Sequence, residues 1–361
     1  MSKEESLKEL FLRLVEVQAP SGFEEPMMKL LEEELKPYVD EVYDTKRGNV
    51  IGVQRGTDPK SPKIAIVAHM DQIGFAVFNI DSAGFIRFRK LGGAHTRAIQ
   101  GQQVQILTDK GPVLGVVGLK PGHITTPAEA NILPPIEEMY IDVGARSRED
   151  AIKIGVRIGL PITYNTKPIE LANGFIATPS IDDRCGIASL IVMARHFKPN
   201  PPRSTIYYIG TVEEEIGLRG AEVVLDNLDV DIAIAIDTTS AGYQPDVNMR
   251  DLFYEVEKGP ALHVGELGTA TRIGSQLIIK YLTKTAEKYN IPHQVGFQHG
   301  GTDAMALMQT GQGIHACTIA LPRRYSHSPI ETFQLEDLEN LILILIKAVS
   351  EMDKGFNLNR I

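Results

Sequence analysis

Cysteine is nearly absent. Cys185 and Cys317 are the two in 361 residues, and they stand far apart in the chain. That excludes a disulfide framework and a cysteine zinc site, and it fits a reducing compartment. A basic excess is also missing. Lys and Arg number 37 against 46 Asp and Glu, a formal charge of −9, which argues against a nucleic-acid partner. Long apolar runs are missing too: the longest obvious one, 341–346, has six residues, far short of the roughly 20 that cross a bilayer. The N-terminus is charged from its third residue and lacks an apolar signal core. No membrane partner is expected, and the expected location is cytoplasmic.

What is present is ordinary globular material. Apolar residues make up 43% and charged residues 23%, too apolar for disorder. At about 150 residues per domain the length suggests two domains, or one large α/β domain with an insertion. Apolar spacing predicts helices over 5–17 and 24–36, broken by Pro20-Ser21-Gly22, then strands at 49–53 and 64–67. From 72 to 165 the texture changes to short strand candidates (75–80, 85–88, 102–107, 113–117 and 156–164) with one helix at 147–154 and a turn at Asp109-Lys110-Gly111. Alternation then resumes: helix 185–196, strand 204–211, helix 220–228, strand 231–236, helix 275–289, strand 315–320 and helix 335–353. The reading is an α/β fold, a mixed sheet with helices on both faces, interrupted by a small β-rich domain. Residues 1–71 and 166–361 form one domain and 72–165 the insertion.

Polar clusters follow four of the apolar strands. They are His69 with Asp71, the triplet Glu213-Glu214-Glu215, Asp237, and the segment from Arg323 to His327; Asp182 and Asp183 open a helix. Open α/β sheets bind ligands beyond the carboxyl ends of their strands, so the clusters converge on one site. Histidines with several carboxylates suit zinc, cobalt or manganese. Asp71 shares a face with His69 on an extended segment and can orient the imidazole. Adjacent acids at 214 and 215 let one bind metal while the other serves as base. Each motif alone also has an ordinary reading: a solvated acidic run, a helix N-terminus complemented by Asp182 and Asp183, a turn aspartate or a loop histidine.

Six segments together resemble the tetrahedral (TET) metalloaminopeptidases, the glutamyl/leucyl/lysyl aminopeptidase-like family of clan MH zinc peptidases. They are HMDQIGF from His69, SIDDR from Ser180, TVEEEIGLRGA from Thr211, DT from Asp237, GGTDA from Gly300 and PRRYSHSP from Pro322. The resemblance spans nearly the whole chain. It implies a zinc-peptidase α/β domain, an inserted β-barrel or PDZ-like dimerisation domain, and a homo-oligomer, a tetrahedral dodecamer built from dimers. It also implies two divalent metal ions per subunit, zinc by default with cobalt or manganese as alternatives. By motif position His69 and Asp237 correspond to ligands of one ion, Glu215 and His327 to ligands of the other, and Asp182 to the bridge. Glu214 corresponds to the general base and Asp71 to the partner of His69. Relatives often carry Gln at the position of Glu213, so the roles of Glu214 and Glu215 rest on alignment to the following Ile-Gly-Leu-Arg-Gly, and they often carry Asn at that of Asp183, which favours Asp182 as the bridge.

The function this implies is removal of N-terminal amino acids from peptides by metal-activated water, with a glutamate as base. A dinuclear amidase, deacetylase or carboxypeptidase on the same fold is the second reading, and a non-catalytic peptide-binding scaffold the third. A glycosidase with paired acids gives His69 and His327 no role. The preferred N-terminal residue is not legible in the sequence. Asp303 reads equally as a helix N-cap or a residue near substrate, and Met305 and Met308 read as core. His95, His123, His263, His293 and His299 receive no role.

Overall fold

The computed structural model describes residues 5–268, 271–310 and 313–359. Helix α1 (Leu7–Val15) starts where Ser6 and Glu9 form a reciprocal capping box, and it buries Leu10, Phe11, Leu14 and Val15 at helical spacing. Helix α2 (Glu25–Leu35) carries Pro26 in its first turn, where a missing N–H has no intrahelical partner anyway. Three strands follow, β1 (Glu41–Asp44), β2 (Val50–Gln54) and β3 (Ile64–His69).

The chain then leaves for a closed six-stranded barrel. Its strands are β4 (Gly74–Ile80), β5 (Ile86–Leu91), β6 (Gln103–Thr108), β7 (Gly111–Val117), β8 (Ile141–Asp142) and β9 (Pro161–Tyr164), with α3 (Arg148–Lys153) before the last. Phe75, Phe88, Ile106 and Ile162 are among its fully buried residues, and they form a core separate from the rest.

Back in the main body come β10 (Ile169–Glu170), β11 (Phe175–Thr178), α4 (Ile181–Phe197), β12 (Ile206–Thr211), α5 (Ala221–Val224) and β13 (Ile232–Ser240). After them run β14 (Ala261–Leu267), β15 (Thr271–Ile273), α6 (Gln276–Tyr289), β16 (Gln294–Gln298), α7 (Asp303–Leu307), β17 (His315–Arg323), β18 (Glu331–Gln334) and α8 (Leu335–Glu351). The main sheet has nine strands in the order β1-β2-β12-β3-β13-β17-β14-β15, with β16 also on β14. Its centre, β12-β3-β13-β17, is parallel. A small sheet, β10-β11-β18, lies beside it.

The central strands are apolar on both faces, as parallel strands between helices must be. Ile64 and Ile66 of β3 face a large core with α1, α2, α4, α6 and α8. Ala65 and Val67 face a thinner one built with the α5 and α7 region. The fold is thus mixed α/β, with helices on both faces of the sheet and a barrel inserted between β3 and β10. No helix among the described residues is long and apolar enough to cross a membrane.

Several elements differ from the sequence reading. The strand expected over 156–164 is only Pro161–Tyr164, because Arg157 to Gly159 form a turn that leads into it. The helix expected over 220–228 is four residues long. β13 and β17 run on past the expected ends to Ser240 and Arg323. Strands β14 to β16 had no apolar run to announce them: Val295 and Phe297 of β16 are 43% and 40% exposed. Thr302, not Asp303, caps α7, its side chain accepting from the backbone N–H of Ala304.

Candidate metal centre

The carboxyl ends of β3, β12, β13 and β17 gather all seven candidate residues. His69 is the last residue of β3. Its Nδ1 lies 3.0 Å from the carbonyl oxygen of Asp71, and its Nε2 lies 3.1 Å from Asp182 Oδ1. The inner nitrogen is therefore held by the backbone and the outer one faces the acids, the arrangement in which a second partner sets the imidazole's tautomer and aim.

Asp71 is fully buried. Ser21 Oγ donates to its Oδ2 at 2.6 Å, and the backbone N–H groups of Glu214 and Glu215 donate to Oδ1 and Oδ2 at 3.0 and 3.2 Å. Burial raises its pKa, but His69 and these donors outweigh it and hold the carboxyl below its usual range. Asp71 thus anchors both the imidazole and the turn that carries the two glutamates.

Asp182 is the meeting point of two donor groups. One comprises His69, Asp182 and Asp237 and the other Asp182, Glu215 and His327, each with ligand atoms within 4.8 Å of one another. His327 Nε2 lies 3.3 Å from Asp182 Oδ2 and 3.5 Å from Glu215 Oε2. Asp183 turns the other way: its Oδ1 accepts from the backbone N–H of Gly186 at 2.9 Å. Glu213 also points away, pairing with Arg47 at 2.5 Å and with Arg219 at 3.4 Å. Of the three consecutive acids, only Glu214 and Glu215 line the cleft.

The electrostatics show what the cluster lacks. Burial drives Glu214 and Asp237 well above the carboxylate range, and neighbouring acids add to the shift. Burial likewise lifts Glu215 to about 7. Asp182 is the exception: burial raises it, but Arg323, His327 and His69 together hold it well below 3.8. Glu215 Oε1 is buried and has no hydrogen-bond partner. Carboxylates packed this closely stay charged only if positive charge joins them, and the donor set of imidazole nitrogens and carboxylate oxygens fits a divalent ion.

Other residues hold the site beyond the seven candidates of the sequence reading. Arg184 is wholly buried and donates to Met70 O at 2.6 Å, Gln72 Oε1 at 2.8 Å and Val17 O at 3.2 Å, which fixes the end of β3. Arg323 donates to Asp182 and to Thr238 Oγ1 and lies 3.4 Å from Glu331. Glu331 in turn accepts the backbone N–H of His327 at 2.8 Å. Asp303 accepts from Thr211 Oγ1. The barrel reaches in as well: a Cβ on Gly93 would sit 2.6 Å from His327 Nδ1, and the backbone N–H of His95 donates to His327 O at 2.9 Å. Ser180, Glu213, Tyr325 and His327 all have φ between 57° and 64° or, for Glu213, 55°. Such left-handed backbone in non-glycine residues is costly and gathers at functional sites. The single legible signal for these helpers was the buried-strand context; a lone Arg or Gly carries none.

All of this opens on a cleft of about 790 Å³, whose walls include Leu218, Met305, Arg272 and the Gly300-Gly301 turn. Comparison with known proteins agrees. The family model for M42 glutamyl aminopeptidase matches residues 48–344. The lysyl aminopeptidase of Pyrococcus furiosus is 33% identical over 352 residues, 96% of this chain and 98% of that one. Aminopeptidase APDkam598 from the archaeon Desulfurococcus kamchatkensis superposes with a TM-score of 0.92 at 34% identity, covering 97% of this chain and 96% of its own. The Pyrococcus horikoshii TET1 peptidase, which can assemble into a tetrahedron or a large octahedral shell, gives 0.86 at 28% identity, covering 96% of this chain and 100% of its own. With a family match over most of its length and relatives aligned end to end, the chain belongs to the M42 glutamyl aminopeptidase family.

Proposed function

We propose that the protein is a dinuclear metal-dependent aminopeptidase. His69 and Asp237 would hold one divalent cation, Glu215 and His327 the other, and Asp182 would serve both. The observation that carries this reading is that Asp182 belongs to both donor groups, while Glu214 lines the cleft beside them. Zinc is the default ion for such ligands, and cobalt and manganese suit them as well.

When bound, the two cations supply a water of lowered pKa and polarise the scissile carbonyl. With the cations in place, Glu214 would take a proton from water as it adds to the carbonyl carbon and would return it to the nitrogen as the C–N bond breaks. Its place in the cleft, outside both donor groups, leaves its carboxylate free for that exchange. Asp71 keeps His69 and the Glu214 turn in register. Peptides with a free N-terminus are the substrates.

The barrel, within residues 72–165, serves as the dimerisation domain of a tetrahedral dodecamer. Its Phe78, Leu114, Leu119, Ile124 and Ile132, each at least 54% exposed, offer apolar surface for a second copy to cover. The related PhTET1-12s structure is a dodecamer.

The test is to strip the protein with a chelator, restore zinc, cobalt or manganese one at a time, and assay aminoacyl p-nitroanilides beside their N-acetyl counterparts. Metal-dependent turnover of the free amines alone is expected. Preference for the acetylated compounds would instead make the enzyme a deacylase or another amidase, and no turnover with any ion would end the reading.

A further inference from the structure

The two oxygens of Asp182 divide their partners. Oδ1 faces His69 Nε2 at 3.1 Å. Oδ2 faces His327 Nε2 at 3.3 Å and also accepts from Arg323 Nη2. By that division Oδ2 belongs to the side of Glu215 and His327, and it carries a guanidinium as well.

That guanidinium is fixed in place. Arg323 closes β17 and is 3% exposed. Its Nε donates to Thr238 Oγ1 at 2.8 Å, and its Nη1 lies 3.4 Å from Glu331 Oε1. Glu331 also accepts the backbone N–H of His327 at 2.8 Å, so the arginine is tied to the same corner of the site twice. A guanidinium does not step aside by losing its proton, and burial leaves its charge poorly screened. Arg184 is equally buried but differs: its donors go to Met70 O, Val17 O and Gln72 Oε1, none of them a proposed ligand.

We infer that Arg323 is a built-in competitor for the cation on the Glu215 and His327 side. It shares Asp182 Oδ2 with that cation and repels it, so the ion is held more loosely, while the ion of His69 and Asp237, on the far oxygen, is affected less. This rests on the dinuclear reading and adds what sets the affinity of one of its two ions. An arginine that merely aimed Asp182 would act with the opposite sign. Loss of an orienting group weakens a metal site, typically by 10- to 100-fold, whereas loss of a competing charge tightens it.

The experiment reads binding, not turnover. Stripped protein is titrated with zinc against a chelating dye, which gives the number of ions and a dissociation constant for each. His327→Ala identifies the ion on its side as the one it abolishes. Arg323→Met, which keeps an unbranched stem without the charge, is expected to tighten that same ion by about tenfold or more, the least expected of one charge repelling another in a buried site. Arg323→Lys, which keeps a charge, is expected to fall between Arg323→Met and wild type. Should Arg323→Met not fold, Arg323→Met combined with Glu331→Gln carries the same expectation, since it removes the ion pair without a change in net charge and leaves a carbonyl oxygen for the His327 N–H. A wild type that binds two ions, with the His327-side ion unchanged or weakened on loss of the arginine, overturns this inference alone. A wild type that binds fewer than two overturns the dinuclear reading and the inference with it.

Discussion

The Asp71 carboxylate accepts the backbone N–H of Glu214 at 3.0 Å, so the residue that orients the first histidine also fixes the turn bearing the proposed base. Removing the carboxylate in Asp71→Ala frees three donors, Ser21 Oγ and the two turn amides, around a position that is itself fully buried. Loss of a group that orients a ligand typically costs 10- to 100-fold in metal affinity or activity. The expected result is a fall of about that size in both, measured by competition with a chelating dye and by turnover. Wild-type metal affinity in the variant would contradict the anchoring role.

Glu214 is the one acid of the triplet that lines the cleft and belongs to neither donor group. Glu214→Gln keeps its shape and removes the proton acceptor. Turnover is expected to drop by about 10²- to 10⁴-fold with metal content per subunit unchanged. Turnover near wild type with both ions bound would move the base elsewhere.

Titration of the metal-free protein supplies a third test. Burial lifts Glu215 to about 7, Glu24, which accepts the backbone N–H groups of Gly22 and Glu213, also to about 7, and Asp183 to about 8, and the neighbouring acids, despite burial, lift His327 to about 9. In the unfolded chain these carboxyls ionise near 4 and the imidazole near 6.5. Between pH 6.5 and 9 the folded state therefore holds more protons than the unfolded one, and stability falls as pH rises. Asp71 and Asp182, whose folded values are lowered, act only near and below pH 4. His263, depressed to about 3 by burial, acts below 6.5. The melting temperature of stripped protein is expected to decline across 6.5 to 9, and added zinc to flatten that decline because it replaces the protons. A rise across that window would refute the picture of a proton-filled acid cluster.

How much of this was readable from the chain follows from the range of each interaction. Strand β3 announces itself because both of its faces are apolar, and the polar His69 at its end marks where the sheet stops. β16 does not, since its Val295 and Phe297 lie partly exposed beside Gly296 and resemble loop. The histidines and acids carry chemistry in their side chains, so their type alone nominates them. Arg184 looks like a surface residue in sequence, and only the fold shows that it is sealed in by backbone carbonyls and a side-chain amide more than 100 residues away. Ser21 reads as a helix breaker, although its hydroxyl completes the shell of Asp71.

Gly93 makes the same point from the barrel side and yields the fourth test. It lies in the loop after β5, in the inserted domain, yet a Cβ there would come within 2.6 Å of His327 Nδ1 and 3.1 Å of Cε1. Contacts that short are not tolerated, so in Gly93→Ala the imidazole must move. It has little room: Glu331 and His95 hold its backbone, and Asp182 and Glu215 lie at its outer nitrogen. A displacement of about 1 Å at a reacting centre costs on the order of 10²-fold in rate. The matched control is Gly122→Ala, a barrel glycine whose added Cβ would meet nothing within 4 Å. Gly93→Ala is expected to lose turnover on that scale and to weaken one of the two metal equivalents, while Gly122→Ala keeps both. Should the two variants behave alike, the barrel would be a bystander to the chemistry. Should they differ as expected, the inserted domain forms part of the active-site wall, and any partner that presses on the barrel gains a short mechanical path to His327.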